Sequence, residues 1–134
     1  MSLEPETILI LLPLPSKVLQ PNFTVGSYGG RMMKAAATKR YRRLAREAVE
    51  EACEGVPWWE ACRVEAEFFF RDSRRRDQDN AMGSIKAAYD GIVDAGLVND
   101  DDYDQMKRGE PKFSVDKACP RIQLTITRLD RRPE

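Results

Sequence analysis

The sequence contains no histidine. Serine–histidine–aspartate triads and histidine general bases are therefore excluded, as are zinc sites that need imidazole ligands. With no histidine available, we expect a general base in this chain to be an aspartate or a metal-bound hydroxide. The 22 acidic and 22 basic residues balance, so the net charge predicts no partner.

Cysteine is scarce, and long hydrophobic runs are missing. The three cysteines, Cys53, Cys62 and Cys119, form no CxxC pair, which predicts idle thiols in a reducing cytosol. The apolar run at residues 7–15 is too short to cross a bilayer and lacks the cationic start of a signal peptide. Walker and dinucleotide-binding motifs are absent too. We therefore expect a cytoplasmic protein with no membrane contact and no nucleotide cofactor.

The composition is that of an ordinary globular protein. With 134 residues, 42% of them hydrophobic and 33% charged, the chain is expected to form one domain over residues 1–134 with flexible ends at 1–6 and 130–134. The charge is unevenly distributed, because residues 31–46 are rich in lysine and arginine whereas residues 90–104 are dominated by aspartate. Local fields of both signs can therefore exist on a neutral molecule.

The hydrophobic pattern predicts an α/β protein of the α+β type, a small mixed sheet with two main helices packed on it. The predicted order is β-α-β-α-β-β. Helical spacing predicts helices over residues 33–55 and 79–96, with Gly96 in the left-handed conformation after the second. Alternating and β-branched runs predict four strands. The first is a central strand at residues 7–13, the second lies at 62–71, the third follows the acidic loop at residues 100–104, and the fourth lies at 121–129. The intervening segment 14–32 predicts a loop long enough to suspect a role in binding.

The stretch "RRRDQDN" at residues 74–80 places two aspartates one residue apart, where the second strand meets a helix. In an extended segment Asp77 and Asp79 would point to the same side, which is costly unless protons, arginines or a cation offset the repulsion. Mg²⁺ accepts oxygen ligands of this kind and keeps waters for substrate phosphates. The alternative is a solvated loop in which Asp79 caps the helix and the arginines neutralise the remaining charge.

A second acidic run, Asp100, Asp101 and Asp102, follows the second helix. If this loop folds back along the sheet edge, one of its aspartates would complete a three-carboxylate site; otherwise the run is a solvated turn. Lys86 lies two turns after the first acidic pair, on nearly the same helical face. From there it would stabilise charge that develops on a scissile phosphate, or it would simply pair with Asp90 at i+4.

Basic residues on the first helix and before the acidic pair are candidate phosphate contacts. Such contacts give affinity without distinguishing DNA sequence. A solvated basic face is the alternative. The candidates are Lys39, Arg40, Arg43, Arg74, Arg75 and Arg76.

The motifs "RRRDQDN", Lys86 and "DGIVDAGLVNDDDY", in this order, resemble the RusA-type Holliday-junction resolvases, small endodeoxyribonucleases often carried by phages and prophages. The early "LPLPS…PN", the basic helix and the closing "IQLTITRL" are also similar to that family, so the resemblance spans residues 7–129. It implies a homodimeric, Mg²⁺-dependent nuclease, with Mn²⁺ as an alternative ion, that nicks four-way DNA junctions symmetrically in recombination and repair.

When the family's motif is matched residue by residue, the resemblance implies that Asp77 and Asp79 are paired metal ligands. It implies that Asp101 is the third ligand, with Asp100 beside it as an accessory. Lys86 matches the family lysine, although some members place it one turn after the second aspartate rather than two. The acidic run is one residue longer than the usual pair, which leaves a one-residue ambiguity over the third ligand.

Together these observations predict metal-assisted hydrolysis of a phosphodiester. Three other functions stay open at this point. They are a branched-DNA-binding protein that does not cleave, a metal-dependent hydrolase of a small phosphorylated molecule, and an interaction module with solvated charge clusters.

Overall fold

The computed structural model describes residues 6–23 and 25–129. The predicted flexible ends lie outside these ranges except for Glu6, whose carbonyl accepts a backbone hydrogen bond from Arg128 at 2.8 Å. Within the described ranges, no helix is both long and apolar enough to cross a membrane. A 3₁₀ turn occupies Lys17–Leu19. The helices and strands are β1 (Thr7–Leu12), α1 (Tyr28–Ala52), β2 (Ala61–Phe70), α2 (Gln78–Ser84), α3 (Lys86–Asp94), β3 (Met106–Arg108), β4 (Lys112–Val115) and β5 (Arg121–Leu129).

In the described ranges, five strands form one mixed sheet in which β5 lies between β1 and β2. β5 is antiparallel to both neighbours, whereas β3 and β4 pair in parallel with successive parts of the other edge of β2. The predicted α+β fold, a small mixed sheet with helices packed on it, is confirmed. The element order differs from the prediction in that the second helix is divided into α2 and α3, and in that β4 is an additional strand.

β1 lies at the edge of the sheet, so the prediction of a central first strand is wrong. Ile8, Ile10 and Leu12 are buried, but Leu9 and Leu11 are 52% and 55% exposed. Only one face of the apolar run therefore contributes to the core. A continuous apolar run is typical of a strand buried on both faces. Leu9 and Leu11 make the run of β1 continuous although they are exposed, and this is why the sequence predicts a central strand.

The core lies between the sheet and the helices α1 and α3. Alternate residues of β2 and β5 are buried, as predicted; Phe68 and Leu124 are examples. The two helices cross closely at Gly91, where a Cβ would lie 2.3 Å from the carbonyl oxygen of Arg42 and 2.8 Å from the Cβ of Ala45. The close approach of α1 and α3 therefore requires glycine at this position.

α1 begins at Tyr28, inside the segment predicted to be a loop. Ser27 caps the helix, and its Oγ accepts the N–H of Gly30 at 3.0 Å. The sequence does not predict this helix start, because Gly29 and Gly30 follow Tyr28 directly and glycine is unfavourable in helices. The predicted binding loop is correspondingly shorter.

The second helix is interrupted at Ile85, which has φ −108° and ψ 14°. The hydroxyl of Ser84 donates to the carbonyl of Ala81 at 2.7 Å, a side-chain bond of the kind that competes with the helical ladder and bends helices. After α3, Gly96 takes the predicted left-handed conformation, with φ +92°. The chain then turns back towards the sheet through the acidic loop.

Candidate active site

Asp77 and Asp79 lie where the loop after β2 enters α2. Asp77 is the N-cap, and its Oδ1 accepts the N–H of Asp79 at 3.3 Å. Asp79 occupies the first turn, where the partial positive charge of the helix start favours a carboxylate. The predicted extended arrangement is therefore wrong, and Asp77 rather than Asp79 caps the helix. Both side chains are exposed at the same end of α2.

The three arginines of "RRRDQDN" form no ion pair with its two aspartates among the described residues. Arg74 and Arg76 each pair with Asp72 at 3.1 Å instead. Hydrogen bonds from the backbone N–H and the guanidinium of Arg74 hold the pKa of the Asp72 carboxyl below its ordinary value. Arg75 is exposed and pairs with no acidic group in the described ranges. Asp72 therefore organises this cluster, although no sequence motif indicates that role.

Asp101 lies between two cations. Nη2 of Arg108 donates to Oδ2 of Asp101 at 3.1 Å and to its carbonyl at 3.3 Å. Nζ of Lys86 is 4.0 Å from the same Oδ2 and 3.9 Å from Asp90. The guanidinium of Arg108 also lies 4.0 Å from the ring centroid of Tyr89, whose pKa is raised to about 12 by burial. Arg108 therefore fixes Asp101 against α3, a role that no sequence motif indicates.

The other two aspartates of the acidic run have local partners. Oδ1 of Asp100 accepts the N–H of Asp101 at 2.7 Å. The carboxylate of Asp102 accepts the backbone N–H of Gln105 at 3.0 Å and its side-chain amide at 3.2 Å. Asp102 thus builds the turn into β3, whereas Asp101 contacts Lys86. This arrangement favours Asp101 over Asp102 as the functional member of the run.

The candidate phosphate contacts on α1 remain accessible. Lys39 and Arg40 are exposed and form no ion pair within the part of the chain that the structure describes. Arg43 is exposed as well, and its Nε lies 3.9 Å from Glu47. Pairs of this kind on an exposed helix face contribute about 0.3–0.5 kcal/mol. A phosphate would therefore displace Glu47 at little cost.

A cleft of about 540 Å³ lies beside the start of α2. We call it the strand-exit cleft. The arginine motif forms one side and the segment after β1 the other, with Leu14, Lys17, Gln20, Asn22, Arg75, Arg76 and Asp77 among the lining residues.

The two sides of the strand-exit cleft are joined. The N–H of Asn22 donates to Oδ1 of Asn80 at 3.2 Å. Pro21 packs directly against α2, since a Cβ on Gly83 would lie 2.2 Å from Pro21 Cγ. The segment suspected of binding thus forms a wall of the cleft, in contact with α2.

Asp77, Asp79 and Asp101 carry the type of ligand that Mg²⁺ prefers, but the structure does not place the three carboxylates around one point. Within residues 6–23 and 25–129, no three His, Cys, Asp or Glu side chains lie close enough to share a metal ion. Asp77 and Asp79 are at the start of α2, whose seven residues span about 10 Å, whereas Asp101 lies beside Lys86 at the start of α3. Lys86 reaches along α3 to Asp90, away from α2. As placed, the residues do not fit an ion, and the three-carboxylate site stays a prediction.

Residues 15–127 match the family model of endodeoxyribonuclease RusA. The chain belongs to the RusA family. No protein among the curated sequences matches it. The RusA match leaves out β1 and includes all the carboxylates and the lysine assigned to the site. RusA proteins are endonucleases that act on branched junction DNA, so the family resemblance inferred from the motifs is confirmed.

Proposed function

We propose that this RusA-family chain is a Mg²⁺-dependent endodeoxyribonuclease that resolves Holliday junctions by symmetrical nicking, as a homodimer. The family match carries the proposal, because residues 15–127 include every residue assigned to the site. The surroundings of α2 support it. Asp77 lines a cleft that carries four arginines and a lysine, and such a concentration of positive charge attracts a DNA backbone.

In the proposed site, Asp77, Asp79 and Asp101 bind Mg²⁺, or Mn²⁺ in its place, with Asp100 beside them. Together these residues would hold the ion, and its chemistry there would be to lower the pKa of a water molecule and to neutralise charge on the phosphate. The side chain of Lys86 is 67% exposed, so it can approach the scissile phosphate and stabilise the charge that develops there.

Assembly of this site requires Asp101 to leave Arg108, or α2 to move towards Asp101. The side chains of Asp101 and Arg108 are 24% and 32% exposed. An ion pair with this much solvent access contributes about 1 kcal/mol or less. A phosphate that attracts Arg108 would therefore release Asp101 at small cost.

The rest of the basic surface holds the DNA backbone in this proposal. Phosphate contacts position a protein on DNA without identifying bases. A four-way junction has approximate two-fold symmetry, and a two-fold dimer presents identical sites to opposing strands. The proposed contacts are Lys39, Arg40, Arg43, Arg74, Arg75 and Arg76.

Cleavage of a synthetic four-way junction, with and without Mg²⁺, tests the proposal. Asp79→Asn should abolish cleavage but keep or tighten junction binding, because a negative charge that faces phosphate is removed. Asp104→Asn is the matched control. Asp104 is an exposed aspartate that has no hydrogen bond or ion pair among the described residues, so this variant should cleave like the parent. Unchanged cleavage by Asp79→Asn would remove Asp79 from the site.

A second candidate function is branched-DNA binding without cleavage. The separation of Asp101 from the α2 pair favours it, since no three carboxylates are gathered within the described ranges. Tight junction binding with no nicking in Mg²⁺ or Mn²⁺ would establish this alternative.

A further inference from the structure

We propose that the strand-exit cleft binds one unstacked nucleobase of the junction, on a platform formed by Phe70 and Arg76. The inference rests on the proposed function for its DNA substrate. It adds a base-binding site next to the proposed site of phosphodiester hydrolysis.

The platform is a guanidinium that lies over an aromatic ring. The guanidinium carbon of Arg76 lies 4.1 Å from the ring centroid of Phe70, and Nη2 donates to Oδ1 of Asp72 at 3.1 Å. The Arg76 side chain lines the cleft and is 21% exposed. Its buried Nε–H has no hydrogen-bond partner among the described residues. Arginine planes and aromatic rings are the two kinds of surface on which unpaired bases stack.

Aromatic packing fixes the platform before any ligand arrives. The ring of Phe68 stacks on Phe70 with a centroid distance of 5.7 Å, and Phe113 meets Phe70 edge-on at 5.5 Å. Phe68 is buried in the core, which anchors the other two rings. The orientation of Phe70, and with it that of Arg76, is therefore set by the ends of β2 and β4.

Amide side chains on the cleft provide groups that can pair with a base edge. Gln20, Asn22 and Asn80 all line it. The amides of Gln20 and Asn22 make no hydrogen bond to any described residue. Asparagine and glutamine form paired hydrogen bonds with base edges, so these groups give the cleft a means to distinguish bases.

The size and charge of the cleft match a nucleotide. Its volume of about 540 Å³ lies in the range of about 300–1,000 Å³ typical of small-ligand sites. Of the residues that the structure describes, five cations and two carboxylates, Asp72 and Asp77, line it, which favours a ligand that carries phosphate. Because Asp77 also belongs to the acidic pair, a base in the cleft would place its own backbone beside that pair. The cleft would thus give a base preference to the position of the cut.

Abasic junctions test this inference. A set of immobile four-way junctions, each with one abasic nucleotide near the branch, is titrated with the parent chain in EDTA, so that cleavage plays no part. At one position, loss of the base should weaken binding by about 5- to 150-fold, the effect expected of one stacked base. Arg76→Lys keeps the positive charge but loses the planar group, and it should bind the intact and the abasic junction equally.

Two further variants complete the design. Arg75→Lys changes the exposed neighbouring arginine and should keep the full abasic effect. Gln20→Ala, on the opposite wall, should weaken binding of the intact junction and reduce the abasic effect while leaving the platform in place.

The outcomes separate the base site from the proposed function. If the parent binds every abasic junction as tightly as the intact one, or if Arg76→Lys keeps the full abasic effect, the base site is overturned while Mg²⁺-dependent cleavage stands. A parent chain that neither binds nor cleaves an intact junction refutes the proposed function, and the base site with it.

Discussion

Replacing Gly91 by alanine tests the contact between α1 and α3, on which the candidate active site is built. An added Cβ would lie 2.3 Å from the carbonyl oxygen of Arg42, 2.8 Å from the Cβ of Ala45 and 3.0 Å from the backbone nitrogen of Arg46. Two of these three atoms belong to the backbone of α1, so no change of rotamer relieves the clash. The two helices must move apart.

The magnitude follows from two opposing effects. Alanine gains about 1 kcal/mol over glycine from helix propensity. Overpacking costs about 1–3 kcal/mol, and separation of the helices also exposes Ala45 and Val49, which are 0% exposed in the parent. We expect a net destabilisation of about 1–2 kcal/mol, and for a domain of this size that lowers Tm by roughly 4–7 °C.

Urea and thermal unfolding followed by circular dichroism measure the effect. Gly29→Ala is the matched control, because Gly29 lies in the first turn of α1 and an added Cβ meets no atom within 4 Å. It should leave stability unchanged or raise it by up to about 1 kcal/mol. A Gly91→Ala variant as stable as the parent would refute the close helix contact.

Two ion pairs give further predictions. Hydrogen bonding by Arg42 holds the pKa of Asp94 below its ordinary value, so its stabilising effect is complete above the unfolded-state pKa of about 3.9 and is lost as the pH falls through the lower folded value. Asp94→Asn should therefore destabilise more at about pH 6 than at about pH 2 in urea unfolding; equal effects would contradict this. Arg108→Gln removes a positive charge beside Asp101 and should raise Mn²⁺ affinity severalfold by isothermal titration calorimetry, whereas unchanged affinity would show that Arg108 does not compete with the ion.

The sequence predicts the fold best where burial follows a simple period. Alternation identifies β2 and β5, because each buries one face and side chains alternate between faces. The edge position of β1 is not predictable in this way, since Leu9 and Leu11 are apolar although exposed. The break in the second helix is equally hidden, because Met82, Ile85 and Tyr89 keep helical spacing across it.

The candidate site is predictable only in its local part. The spacing of hydrophobic residues changes from alternation in β2 to helical spacing after it. This change is enough to place Asp77 and Asp79 where a strand leads into a helix. The contact of Arg108 with Asp101 depends instead on β3 pairing beside β2, a tertiary arrangement with no local motif. Which carboxylates share an ion likewise depends on how α2 and the acidic loop are placed in the fold. The spacing of acidic residues along the sequence does not determine that placement.

Direct measurement of Mn²⁺ binding by calorimetry tests the central claim, that Asp101 acts with Asp77 and Asp79 on one ion. Asp79→Asn and Asp101→Asn should each weaken binding strongly, and the double variant should be less than additive because both change the same site. Asp104→Asn should bind like the parent. If Asp101→Asn binds Mn²⁺ as tightly as the parent while Asp79→Asn does not, Asp101 is no part of the metal site and the proposed mechanism is contradicted.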